Sequence, residues 1–163
     1  MFDKFGEFDS VEELNMAAEG LREEGDKDSL IALANENGID PSEVEDFMDG
    51  LMDELANPLM AAVGKLEIEK ESLVVKEIVE DWYQYIVTSC GESDEMARAV
   101  RKKGKSLKGC IAELLKWSFK NCYAVDTEIT KAAGVSAGVK MGIPGMGRAK
   151  EIIREYYLGK QAS

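Results

Sequence analysis

Histidine is absent from this chain of 163 residues. That removes the usual neutral-pH proton carrier and the commonest metal ligand. Cysteine is scarce, with only Cys90, Cys110 and Cys122. An odd number of scattered thiols argues against a disulfide framework and for reduced side chains in a cytosolic setting. None forms a CxxC pair, so no zinc site is encoded. Without histidine as base, a catalytic cysteine has no ready activator, and the thiols read as packed, inert groups. No apolar run approaches the roughly 20 residues that cross a bilayer, and the acidic N-terminus MFDKFGEFDS does not resemble a secretory signal. Period-two alternation is nearly missing, which leaves helices as the building material. Together these absences predict a cytoplasmic, non-enzymatic protein with no metal and no cofactor.

Positive charge is scarce in one stretch only. Residues 1–60 hold 18 Asp and Glu against Lys4, Arg22 and Lys27, a net of −15, whereas residues 61–163 carry a net of +3. The division suggests an acidic helical module, 1–60, followed by a helical core domain, 61–163, with a basic segment and a Gly-rich loop. Between Arg98 and Lys120 there are eight basic residues, opposed only by Glu113. A dense acidic surface attracts proteins that ordinarily hold nucleic acid. A basic cluster meets phosphates, an acidic partner, or the acidic half of its own chain.

The chain reads as an all-α, compact bundle of about six to seven helices. Phe2, Phe5 and Phe8 mark a short arm. Ser10 with Glu13 opens a helix to about Glu19, and a second runs from Ser29 to Asn37, with Gly38 as its stop. Asp40, Pro41 and Glu43 start a third, whose apolar side runs through Val44, Phe47, Met48, Leu51 and Leu55. Its other side places Asp46, Asp49 and Asp53 on a common face. A long central helix spans about Glu67 to Ser89, with Tyr83 off its apolar stripe. A short helix follows through Met96 and Val100. The next, Ser106 to Asn121, turns Leu107, Ile111, Leu114, Leu115 and Phe119 inward. A short turn after Asp126, a loop at 134–147 (with a small hairpin in 134–143 as an option), and a helix from Arg148 to Tyr157 complete it. The tail after Gly159 is expected to be dispensable.

Candidate sites follow from this layout. Asp46, Asp49 and Asp53, with Glu45, form the acidic partner surface. Arg101, Lys102, Lys103, Lys105 and Lys108, with Arg148 beyond the loop, form the basic surface for phosphates or a partner. GIPGMG, residues 142–147, precedes a helix start, where backbone N–H groups hold anions in some proteins, yet it lacks both GxGxxG and GK[ST] and reads first as a turn. Asp26 and Asp28 have DxD spacing without the glycine and glutamate of a calcium loop. Of Trp82, Tyr83, Tyr85 and Trp117, three fit helical core faces or their edges, so the set reads as core rather than as stacking platforms, with Tyr83 the one expected at the surface.

Two stretches carry a family resemblance. Residues 8–40 resemble a short acidic N-terminal module of clostridial phage proteins. KSLKGCIAELLKW, residues 105–117, together with EIIREYYLG, residues 151–159, resembles the K-S-L-x-G-C core and terminal tyrosine-bearing helix of PcfK-like proteins. These are small accessory proteins of phages and mobile elements in Gram-positive bacteria, and some act as anti-CRISPR inhibitors of Cas nucleases. The resemblance implies that Lys105, Ser106, Leu107, Gly109 and Cys110 form the family core, with Tyr156 and Tyr157 as the terminal pattern. The chain departs from it at 134–147. The resulting expectation is an inhibitor of a nucleic-acid-handling effector, a Cas nuclease or its ribonucleoprotein, acting as a DNA mimic. The alternative is a DNA- or RNA-binding accessory protein using residues 98–120 and the 142–148 turn.

Overall fold

The computed structural model describes residues 2–159. The order is α1 (Val11–Glu23), α2 (Lys27–Glu36), α3 (Pro41–Met48), α4 (Pro58–Glu71), α5 (Ile78–Glu92), α6 (Asp94–Arg101), α7 (Leu107–Lys120), β1 (Tyr123–Ala124), α8 (Thr127–Ala132), β2 (Lys140–Met141) and α9 (Met146–Leu158). The protein is therefore all-α, with one minimal strand pair among the described residues. The expected tail falls outside them.

Local chemistry sets the helix starts. Seven of the nine helices begin with a side-chain cap: Ser10, Asp26, Asp40, Asn57, Ser93, Ser106 and Asp126 each accept a hydrogen bond from a first-turn N–H. Each cap contributes about 1 kcal/mol. Pro41 and Pro58 occupy first-turn positions, where no N–H is needed.

Among the described residues nine helices replace the expected six to seven, because the predicted Glu67 to Ser89 helix divides and the short turn after Asp126 closes as α8. Glu67 to Ser89 is not continuous. α4 stops at Glu71, and β-branched Val74 and Val75 lie in the gap before α5. Glu77 reverses the chain there at φ 54°, a positive value that an L side chain adopts only under strain. The third helix ends at Met48, because Gly50 takes φ 75° and Leu51 N–H bonds back to Asp46 C=O at 2.9 Å. Leu51 is therefore 75% exposed instead of lining the core, whereas Leu55 is fully buried. Tyr83, expected at the surface, is buried on α5.

The buried side chains form two clusters. One gathers Leu14 of α1, Leu30 and Leu33 of α2, Val44 and Phe47 of α3, and Leu55. The other gathers Trp82 and Ile86 of α5, Met96 and Val100 of α6, Leu107 and Leu114 of α7, and Ile153 of α9. Fully burying one such side chain is worth roughly 1.5–3 kcal/mol. α4 touches both, with Ala61 in the first cluster and Ala62 and Leu66 in the second. It packs on α5, α6 and α7, while α9 closes over α5, α6 and α7.

One backbone crossing fixes α4 against the loop after α2. A β-carbon on Gly64 would lie 2.2 Å from Asn37 C=O, and one on Gly38 would lie 2.3 Å from Gly64 C=O. Both positions need glycine, and Gly38 also holds φ 65°.

Beyond α7 the chain is thinly packed. β1 and β2 run antiparallel, Tyr123 facing Met141 and Ala124 facing Lys140, and they flank α8, which buries no residue. The considered hairpin within 134–143 does not form, because β2 takes β1 as its partner across α8.

Candidate interaction surface

The basic segment divides between interior and surface. α6 buries Met96, Ala97, Val100 and Arg101 on one face. Arg101 is 0% exposed, so it is a core residue and not the predicted phosphate or partner contact. Its guanidinium donates to Phe8 C=O at 3.3 Å and to Asn37 Oδ1 at 3.0 Å, reaching from one cluster into the other. Its Nε has no hydrogen-bond partner among the described residues. Burial pulls the guanidinium below the usual arginine range, opposed by Glu7 and Glu69.

Two residues that composition does not flag complete this seam. Lys65, 1% exposed, donates to Lys102 C=O at 2.9 Å and Lys105 C=O at 2.7 Å, and pairs with Glu7 at 2.8 Å. Burial lowers its affinity for a proton, and the hydrogen bond to Glu7 opposes that. Glu69 accepts the Leu107 N–H at 2.7 Å. Burial raises its carboxyl above the usual range, against the Leu107 N–H. A sequence signal existed: Ala61, Ala62, Lys65, Leu66 and Glu69 recur at helical spacing on the buried side of α4. Removing one partner of such a buried set typically costs about 3–5 kcal/mol, because the others lose their compensation.

The residues behind the family resemblance meet one another. Lys105 Nζ donates to Tyr156 C=O at 2.6 Å and sits 4.8 Å from that ring's centre. Ser106 N–H donates to the Tyr156 hydroxyl at 3.0 Å, and Ser106 Oγ caps α7 through Gly109 N–H. A β-carbon on Gly109 would fall 2.2 Å from that hydroxyl. Leu107 and Cys110 are fully buried. This string therefore clamps α7 onto α9. Lys105 is committed to the clamp, leaving Lys102, Lys103 and Lys108, with Arg148 apart from them, as the exposed cations of the predicted basic surface.

Glu45, Asp46, Asp49 and Asp53 are all exposed. They do not form one helical stripe: Asp49 is the C-terminal cap of α3, and Asp53 lies in the irregular segment beyond it. Glu45 pairs with Lys27 at 3.1 Å. Asp46, Asp49 and Asp53 make no ion pair among the described residues, and the Arg101–Lys108 segment does not fold back on them. Elsewhere in the acidic region Arg98 of α6 pairs with Glu12 and holds that carboxyl below its usual range.

The far end of α7 departs from expectation. Leu115 and Phe119, predicted to be buried, are 55% and 76% exposed. The α9 helix and the segment before it cover other faces; a β-carbon on Gly142 would lie 2.4 Å from Ser118 C=O. That contact gives the Gly-rich segment a packing role. Arg148, at the start of α9, pairs with Glu151 at 2.5 Å and stays exposed.

Cys90 and Cys110 are buried, and desolvation pushes both thiols up to about 12, which keeps them protonated and unreactive at neutral pH. Cys122 is exposed, contrary to the packed-thiol expectation. Among the described residues no three His, Cys, Asp or Glu side chains converge as metal ligands. No described helix is long and apolar enough to cross a membrane. A cleft of about 320 Å³ lies between Phe2 and Glu7 of the arm, Glu69, and the Gly104–Ser106 loop. Comparison with family models, curated proteins and solved structures finds no match.

Proposed function

We propose that this protein is a non-enzymatic inhibitor that seats its acidic N-terminal face on the basic, nucleic-acid-holding surface of a protein effector. Its resemblance to PcfK-like proteins makes a CRISPR-Cas nuclease, free or as a ribonucleoprotein, the first target to try. The supporting observation is the set of exposed carboxylates at Asp46, Asp49 and Asp53 without ion-pair partners, within a region whose net charge is −15. Exposed pairs are worth only about 0–1 kcal/mol, so leaving these charges unpaired costs the fold little. It leaves a negative field that steers a positive surface from about a Debye length, 8–10 Å at ordinary salt. Inhibition is then steric and electrostatic: the face occupies a channel meant for DNA or guide RNA.

The test compares the wild-type chain with the triple variant Asp46→Lys, Asp49→Lys, Asp53→Lys against a purified Cas ribonucleoprotein. Binding and target-strand cleavage are both measured. The expected result is association slowed by about tenfold or more, with cleavage restored. Equal binding and equal inhibition by both proteins would remove the acidic-face mechanism.

A further inference from the structure

All twelve aromatic side chains lie among the described residues, and only Phe119 and Tyr123 are exposed, at 76% and 62%. Phe119 sits on the last turn of α7, and Tyr123 begins β1 just beyond it. The outward face of α7 carries Lys108, Leu115, Lys116, Phe119 and Lys120 at helical spacing, all exposed. From Lys108 to Lys120 this face runs about 18 Å along the axis. Lys140 of β2 is exposed too, but it pairs with Ala124, one position from the Tyr123–Met141 pair, and so lies on the opposite face of the ladder from Tyr123. Lys108, Lys120 and Lys140 make no ion pair among the described residues; Lys116 bonds Glu113 at 2.6 Å.

We infer that this face, from Lys108 to Lys120 and on to Tyr123, is a binding surface for single-stranded nucleic acid. Three features select that occupant. The lysines complement a phosphate backbone, with Glu113 the one acidic side chain of α7. The two exposed aromatics adjoin those cations, Phe119 between Lys116 and Lys120 and Tyr123 three residues on, and an unpaired strand offers base faces to stack on them. A duplex hides those faces, so its phosphates would use the lysines and leave the rings idle. Further, α7 packs on α4 and α9 and contributes to the core cluster away from α1–α3, so a polyanion on its outer face is separated from the most acidic region. The surface shares only Lys108 with the basic Arg101–Lys108 segment singled out by composition, where Arg101 and Lys105 are committed to the interior and to Tyr156. It is also independent of the acidic face, so either can fail alone.

The experiment titrates the full chain into a short fluorescein-labelled oligothymidylate and follows anisotropy at several salt concentrations, starting near 50 mM. Binding is expected to weaken steeply with salt. Lys108→Ala with Lys120→Ala should weaken it and flatten log K against log salt by roughly 0.7 per lysine removed. Phe119→Ala with Tyr123→Ala should weaken it about tenfold or more while leaving that slope unchanged, because stacking releases no counterions. Thermal melts of both variants confirm folding, since all four positions are exposed. The inference is overturned by no binding at the lowest salt, by a duplex of the same length binding equally well, or by an unchanged affinity in the aromatic variant. Equal competition by polyglutamate at matched charge would overturn it in favour of an acidic protein partner.

Discussion

The α1–α3 region and the stretch from the end of α7 to β2 solve their surfaces in opposite ways. The first buries Leu14, Leu30 and Leu33 completely and turns carboxylates outward. The second turns apolar side chains outward: eight of the twelve exposed large hydrophobic residues among those described lie between Leu115 and Met146. Carboxylates at a surface are ordinary and aid solubility. A concentration of exposed apolar side chains ringed by lysines is less common, and such patches mark contact sites. The lesson is that net charge located one surface and burial located the other. Between them runs a third environment, where Lys65, Arg101, Glu7 and Glu69 compensate one another away from water.

Breaking that seam should have the largest effect. Arg101→Ala leaves Asn37 Oδ1 and Phe8 C=O without their donor and two carboxylates facing one buried ammonium. A loss of about 3–5 kcal/mol in urea unfolding is expected. A loss under about 1 kcal/mol would return Arg101 to the surface. Gly64→Ala comes next. Helix propensity would return up to about 1 kcal/mol, but the new methyl meets Asn37 C=O, and overpacking costs about 3 kcal/mol. The net expectation, a loss of about 2 kcal/mol, is read from the shift in urea midpoint.

Acidification separates the two kinds of carboxylate. Asp26 is held below its usual range by its hydrogen bonds from Ser29, and Asp40 by those from Ser42. The unfolded chain binds more protons at these sites, so their contribution is present above the unfolded value and lost as pH falls through the folded one. Glu69 has the opposite sign. Its folded value is raised, so taking up a proton as pH falls favours the fold and offsets part of that loss. Asn caps about as well as Asp without titrating. The variant Asp26→Asn, Asp40→Asn should therefore keep neutral stability and lose less between pH 7 and about pH 3, as followed by urea midpoints. An unchanged acid slope would remove the caps from the account. The smallest stability effect belongs to the reversal at Asp46, Asp49 and Asp53: within about 0.5 kcal/mol, with binding changed far more.

Much of the fold was legible. Ser10 and Asp40 cap α1 and α3 where the spacing places them, although Glu13 accepts from Asp9 N–H rather than completing a box with Ser10, and Ser106 caps the helix it is expected to start. The all-helical class followed from periodicity. Errors arose where one local feature outweighed a pattern. Gly50 was passed over as a helix stop, which carried Leu51 and Asp53 onto a helix that ends before them. Arg101 was grouped with its charged neighbours, although it follows Ala97 by four residues on the apolar side of α6. For Lys65 and Glu69 the helical spacing with Ala61, Ala62 and Leu66 marks their side of α4, but their partners Glu7, Arg101 and Leu107 are distant in sequence and meet them only in the fold. Leu115 and Phe119 looked like core because nothing in the sequence states which side of α7 goes uncovered.

The joint between Gly109 and Tyr156 bears on how likeness to other proteins is read. A hydroxyl stands where a larger residue's first carbon would stand, so the glycine and the tyrosine, 47 positions apart, constrain each other. Ser106 N–H donates to that same hydroxyl, and Lys105 Nζ donates to the Tyr156 carbonyl. A string spent on such a clamp is an architectural signature. Chains that share it would share a hinge-pin between two helices, while the outward carboxylates and lysines remain free to be rewritten for each new contact.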